Sequence, residues 1–151
     1  MIKYNANRFI LEPGFRLQKY TLGSSPEPRF GIKYIISDVL RLKLASGLYS
    51  QNILSTVSDK DVVNLFYGFI SSPANLPPQE NGEEYENKIQ KAQHLILGIE
   101  YDVNLKFDIQ VEGYLKDFTQ LTNINRDMIS NYDNEFIVEK GIAKGIDLLM
   151  K

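Results

Sequence analysis

The stretch that decides the fold reads Tyr101-Asp102-Val103-Asn104-Leu105-Lys106-Phe107-Asp108-Ile109-Gln110-Val111-Glu112. Its odd-numbered residues are apolar or aromatic, and its even-numbered residues are polar or charged. Successive side chains of a β-strand point to opposite faces of a sheet, so this strict alternation predicts one long strand with one apolar and one wet face. Such a strand is typical of an antiparallel sheet that packs one face on a core.

A second strand signal lies near the N-terminus, where Pro13-Gly14 stands between apolar and aromatic residues. Proline presets φ for the first central position of a type II turn, and glycine accepts the positive φ of the second. The pair therefore predicts the turn of an N-terminal hairpin, and we expect this hairpin to pair with the strand over 101–112.

Apolar residues at helical spacing occupy most of the remaining chain. They predict helices over about 31–46, 58–70, 83–99 and 136–150, with short helices between Tyr114 and Met128. The expected fold is α+β: a small antiparallel sheet, made of the N-terminal hairpin and one long strand (101–112), covered on one face by four or more helices. A chain of 151 residues is expected to form a single domain, 1–151.

The composition excludes several kinds of site. The chain has no cysteine and one histidine, His94, so disulfides, thiolate metal sites and a two-histidine metal site are not available. Asp102 and Asp108 share the polar face of the predicted strand, but six residues of strand separate them by roughly 20 Å. We therefore expect no catalytic residue, no metal and no cofactor, and a carboxylate-based hydrolase helped by His94 is only the third functional hypothesis.

Localisation is inferred from two features of the sequence. The absence of cysteine favours a reducing compartment, and the first eight residues lack the apolar segment of a signal peptide. The chain is therefore expected to be soluble and cytoplasmic, in the host cytoplasm or the virion if it is phage-encoded, and to make no contact with membranes.

The leading functional hypothesis is a non-enzymatic interaction or assembly protein, such as a phage or mobile-element component. Residues 1–43 carry an excess of positive charge, whereas residues 80–151 carry an excess of negative charge. Such a split favours docking with a protein partner or with a second copy in a homo-oligomer. The nine tyrosines and eight phenylalanines suit the centre of an interface.

The alternative hypothesis is a small-ligand or nucleotide-binding module. Cationic and aromatic residues alternate in the N-terminal segment, and stacking plus phosphate contact would make a ligand-binding set of Arg8, Arg16, Lys19, Tyr20 and Arg29. The loop over 71–82 would then be a lid. Nucleic acid is not an expected ligand, because the isoelectric point of about 5.5 lacks the basic footprint of such proteins.

Overall fold

The computed structural model of this chain describes residues 3–20, 23–55, 68–71, 76–79, 82–85, 88–104, 107–125 and 135–151. These residues form nine β-strands: β1 (Tyr4–Ala6), β2 (Phe9–Tyr20), β3 (Gly23–Ile35), β4 (Leu40–Gln51), β5 (Ile53–Ser55), β6 (Phe69–Ser71), β7 (Gln90–Asn104), β8 (Phe107–Ile124) and β9 (Phe136–Met150). Seven of them make one antiparallel sheet in the order β1-β2-β3-β4-β7-β8-β9, while β5 and β6 pair separately. In the described ranges, no helix has the length and hydrophobicity needed to cross a membrane.

The expected α+β fold is therefore wrong, because the described part of the chain is all-β. The predicted helix over 31–46 is the end of β3, a turn and β4; the one over 83–99 is largely β7; and the one over 136–150 is β9. The helix predicted over 58–70 lies mostly outside the described residues, and its end belongs to β6. Residues Tyr114 to Asn123, predicted as helical, continue β8.

The two strand predictions were right in type and wrong in layout. Residues 101–112 are not one strand: Tyr101–Asn104 end β7 and Phe107 begins β8, so the alternation runs through a hairpin. This hairpin brings Asp102 opposite Asp108, which contradicts the predicted separation of roughly 20 Å. Its strands pair with β4 and β9, and the predicted pairing with an N-terminal hairpin is wrong.

Pro13-Gly14 is not a turn but the middle of β2, opposite Phe30 and Arg29. Proline cannot donate a backbone hydrogen bond and is tolerated where one side of a strand has no ladder. The ladder between β1 and β2 reaches only Leu11, so Pro13 lies just beyond it. The ladder between β2 and β3 continues past Pro13-Gly14 as far as the pair Tyr20 and Gly23.

The register of the sheet sorts its side chains into two faces. Residues directly opposite each other share a face, so the odd-numbered residues of β7 are on the same face as the even-numbered residues of β4 and the odd-numbered residues of β8. We call this the apolar face; its large residues are Phe9, Leu11, Phe15, Leu17, Phe30, Ile32, Tyr34, Leu40, Leu42, Leu44, Leu48, Leu95, Leu97, Ile99, Tyr101, Val103, Ile109, Val111, Leu115, Ile142, Ile146, Leu148 and Met150. The opposite side, the polar face, carries most of the charged residues of the sheet.

The two ends of the strands also differ. One end, the turn edge, has short reversals at Asn7–Arg8 and between Ile35 and Leu40. Asn7 has a positive φ of 51° there, which asparagine tolerates better than most residues. At the other end, the link edge, β4 ends at Gln51, β7 begins at Gln90, β8 ends at Ile124 and β9 begins at Phe136.

The seven-stranded sheet has no buried apolar core of its own among the described residues. Only Leu54 and Ile89 are both apolar and buried, and both belong to the connection over 52–89. The chain exposes 11306 Å² of surface, whereas a globular monomer of 17.3 kDa exposes about 7,800 Å². The sheet is therefore a single layer whose apolar face has no protein partner in the described structure.

Candidate functional site

The centre of the polar face is an ion-pair network around Glu100 of β7. Lys33 Nζ lies 3.0 Å and Arg41 Nε 3.1 Å from Glu100 Oε2, and Lys43 contacts the other carboxylate oxygen. Arg41 also reaches Asp102 at 2.5 Å, and Lys43 lies 3.7 Å from Glu112. The network joins β3, β4, β7 and β8 across the face.

Glu100 is the carboxylate on which this network converges. Burial by itself would raise its pKa, but hydrogen bonds from Lys43, Lys33 and Arg41 more than offset that effect and lower the pKa to about 2. The hydrogen bond to Asp102, followed by that to Glu100, raises the pKa of Arg41. Both shifts favour the charged forms, so Glu100 and Arg41 form an ion pair over the whole physiological pH range.

A second cluster lies on the polar face near the link edge, around the fully buried carboxylate of Glu27. Ser50 donates to Glu27 Oε1 through its backbone N at 3.0 Å and its hydroxyl at 2.7 Å, and Arg29 donates to Oε2 at 2.8 Å. Burial would raise the pKa of Glu27, but these hydrogen bonds and the charge of Arg16 hold it below its usual value. Glu27 thus fixes the position of Arg29.

Aromatic rings extend this cluster. The Arg29 guanidinium lies 4.5 Å above the ring centre of Tyr49, and Tyr49 stacks on His94 at 4.3 Å. Burial, and next the positive charge of Lys116, lower the pKa of His94, so this imidazole is neutral at pH 7. Arg29 Nε is buried and has no hydrogen-bond partner among the residues that the structure describes, so one donor of the guanidinium is unpaired there beside the rings.

A cavity of about 310 Å³ adjoins these rings, between β4, β7 and β8. Tyr49, Ser50, His94 and Phe118 line it. Aromatic rings with a few fixed polar groups suit a small organic ligand. No cluster of three or more metal-ligating side chains occurs among the residues that the structure describes.

The structure brings together only some of the five residues of the predicted ligand-binding set. Arg16 and Arg29 lie near Glu27, and the hydroxyl of Tyr20 is 3.2 Å from that of Ser50. Arg8 lies at the turn edge, where its carbonyl accepts a hydrogen bond from Ile35, and Lys19 is on the other face by alternation. Half of the predicted lid over 71–82 lies outside the described residues, namely 72–75, 80 and 81.

Sequence reasoning missed Glu27, Tyr49 and Ser50, and it treated His94 as a residue on a helix. The signal available for His94 was the alternation of Leu95, Leu97 and Ile99, which continues the odd-numbered pattern back from Tyr101. Extended this far, the pattern would have placed His94 on the same face as Glu100. No signal in the sequence pointed to Glu27, because its partner Ser50 lies on another strand.

Comparisons with known proteins give one informative result. No family model matches the chain, and no curated protein matches it in sequence. In structure it is similar to the siderophore receptor PirA from Pseudomonas aeruginosa, with a TM-score of 0.63 and 15% identity, over 95% of this chain and 28% of that one. The chain thus spans little more than a quarter of the length of that receptor, and the likeness concerns the fold.

Proposed function

We propose that the seven-stranded sheet spans a lipid bilayer, with its apolar face against the hydrocarbon, and forms part of the wall of a membrane receptor. The observation that carries the proposal is the exposure of the apolar face. Ile146 is 78%, Ile142 72% and Phe15 70% exposed, and the whole face is far larger than the few hundred Å² that proteins in water leave uncovered.

The length of the apolar band supports a bilayer, and not water, as the medium that contacts this face. Apolar residues on this face run from Phe9 to Leu17 in β2 and from Leu95 to Val103 in β7, and in β4 they run from Leu40 to Leu48 with Ser46 as a polar interruption. Each run covers nine residues, and a strand that crosses the hydrocarbon needs about 9–11. The band therefore has the dimension that a membrane imposes.

The ends of the band support the same orientation. At the turn edge the apolar face carries Tyr4, Tyr34 and Tyr101, and the ring of Phe9 lies 4.6 Å from that of Tyr34. Aromatic rings are enriched where transmembrane strands meet the headgroups. Toward the link edge the same face becomes polar at Gln93 and Asp117, so both ends of the band have interfacial character.

In a bilayer the free edges of this sheet need partners. An unpaired backbone group in hydrocarbon costs several kcal/mol, and β9 has a neighbour on one side only among the described strands. Further strands, supplied by a longer chain or by other copies, would pair with β9 and with β2. The extent of the structural match, 28% of the receptor's length, is consistent with a chain that forms one section of a larger sheet.

The receptor part of the proposal rests on the polar face and on the similarity of fold. The cavity beside Tyr49 and His94 opens on that face, near the link edge, where an incoming ligand would meet it. We take the ligand class from the protein of similar fold, which is a siderophore receptor. Binding of ferric siderophores that falls at least tenfold in Tyr49→Ala would support this part, and a panel with no measurable binding would contradict it.

The membrane part has a direct test, because the chain contains no tryptophan. Leu148 and Leu149 are consecutive residues on opposite faces, paired with Val111 and Gln110. In vesicles with brominated acyl chains, Leu148→Trp is expected to lose several-fold more fluorescence than Leu149→Trp. Equal quenching of the two variants would contradict the proposal.

The proposal competes directly with the sequence-based expectation of a cytoplasmic protein without membrane contact. That expectation and the hypothesis of an interaction or assembly protein both remain untested predictions. The prediction of a single domain and the prediction that the protein is not an enzyme are also untested.

A further inference from the structure

A groove on the apolar face crosses β7, β8 and β9 near the link edge. Its volume is about 490 Å³, and Leu95, Leu97, Gly113, Leu115, Lys144 and Ile146 line it. The groove exists because Gly113 has no side chain where its neighbours on this face, Leu97 and Ile146, have large ones.

Gly113 differs from the glycines of the polar face. A Cβ on Gly98 would meet Glu112 at 3.0 Å, and one on Gly145 would meet the Tyr114 hydroxyl at 2.6 Å and its ring at 2.7 Å, so side chains already fill those spaces. A Cβ on Gly113 would meet only one backbone oxygen, at 4.0 Å. Packing within the described chain therefore does not require a glycine at 113, and the space above it is open to the lipid side.

Lys144 adds a positive charge to one end of this groove. Lys144 is directly opposite Leu115 of β8, and Leu115 is opposite Leu95 of β7. Leu95 is the last residue of the apolar run of β7 on the side of the link edge. Lys144 is exposed and forms no ion pair with the residues that the structure describes. A lysine at this depth extends its ammonium toward the headgroups while its stem covers apolar surface.

We propose that this groove binds an anionic phospholipid, with an acyl chain over Gly113 and the headgroup phosphate on the Lys144 ammonium. The inference rests on the proposed membrane location of the apolar face. An apolar channel that ends in a single cation matches a lipid with one negative phosphate, and basic pockets of membrane proteins hold such headgroups in this way.

The test measures lipid retention by native mass spectrometry of the complete protein, reconstituted with equal amounts of phosphatidylglycerol and phosphatidylcholine and then delipidated. We expect the wild type to retain phosphatidylglycerol at least fivefold over phosphatidylcholine. Lys144→Gln, which removes the charge, and Gly113→Val, which fills the groove, are each expected to bring the ratio close to one.

Two matched variants control for charge and bulk. Lys116→Gln removes a lysine of the polar face, and Val111→Leu adds a methylene to the apolar face outside the groove; both are expected to keep the wild-type ratio. Equal retention of the two lipids by the wild type, or an unchanged ratio in Lys144→Gln, would overturn the inference.

Insertion into vesicles of phosphatidylcholine alone, read by protease protection, separates the two proposals. A protein that inserts there but shows no preference for phosphatidylglycerol refutes the lipid site only. A protein that inserts neither into these vesicles nor into vesicles that also contain phosphatidylglycerol refutes the membrane location and the lipid site together.

Discussion

The two faces of the same strands solve different physical problems. On the polar face, long charged side chains lie over glycines and pair with one another: Glu112 covers Gly98, and Arg29 covers Gly47. On the apolar face, large side chains stand exposed, and the groove at Gly113 stays open. The polar face is thus covered by side chains of its own chain, whereas the large side chains of the apolar face need contact with a surrounding medium.

The largest difference between the two faces is expected when the same charge is placed on each of them. Leu148→Arg puts a guanidinium level with Ile99, in the middle of the apolar band, and is expected to lower the free energy of unfolding in bilayers by about 2–4 kcal/mol. Leu149→Arg, one residue further on, points to the side of Glu100 and Glu112 and should change stability by less than about 1 kcal/mol. Urea titration of both variants in vesicles measures the difference, and equal losses would refute the assignment of faces.

The ion-pair network predicts a loss of stability in acid. Glu100 has a folded pKa of about 2 against an ordinary value of 4.5, so its contribution is fully present above pH 4.5 and is lost as the pH falls toward 2. The difference in pKa corresponds to at most about 3 kcal/mol. Stability measured between pH 7 and pH 2 should fall less steeply in Glu100→Gln than in the wild type; parallel profiles would show that the carboxylate does not hold the network.

The glycines offer a comparison of steric room on the two faces. Gly145→Ala places a methyl group against the Tyr114 ring and is expected to cost about 1–3 kcal/mol, because the ring has to move. Gly113→Ala meets open space on the other face and should cost less than about 1 kcal/mol, the ordinary range for a surface change. Denaturant unfolding of the two alanine variants gives the ranking, and a larger loss at Gly113 would contradict the packing described for the polar face.

The smallest expected effect concerns His94 on the polar face. Burial and then the Lys116 charge lower its pKa, so protonation disfavours the folded state as the pH drops below the ordinary value of 6.5. Lys116→Gln removes the second cause and should raise the pKa of His94 measured by NMR titration. Leu115→Gln, a change in the preceding residue on the opposite face, should leave it unaffected, and a shift of similar size there would point to a general structural change.

Part of this architecture could be predicted from the sequence. The rest could not, because the spacing of apolar residues on one face of a strand can also fit a helix. The alternation over 101–112 correctly indicated extended structure, because period 2 fits no helix, but the assignment of these residues to one strand packed on a core was wrong. The predicted helices failed because a spacing of four residues satisfies both a helix and one face of a strand: Leu40 and Leu44 share a face of β4 and fit a helical stripe, as do Ile142 and Ile146 in β9.

The candidate site was less predictable than the strands. Arg16, Tyr20 and Arg29 come together because β2 and β3 form a hairpin, but Pro13-Gly14 suggested a turn at the wrong place. The Glu27–Ser50 and Tyr49–His94 contacts depend on the register between separate strands, which local sequence does not encode. The apolar run of β7 was assigned to a protein core, although its exposure agrees better with lipid.

The most direct measurement of the central claim is a cysteine scan of Leu95–Asp102 in vesicles, since the chain has no cysteine of its own. Each single-cysteine variant is treated with a maleimide that does not cross or enter membranes. If the apolar face contacts lipid, reactivity has a period of 2: the odd-numbered positions are protected and the even-numbered positions are labelled, except Gly98, which Glu112 covers. Labelling of the odd-numbered positions as fast as the even-numbered ones would show that the apolar face meets water, and would contradict the account.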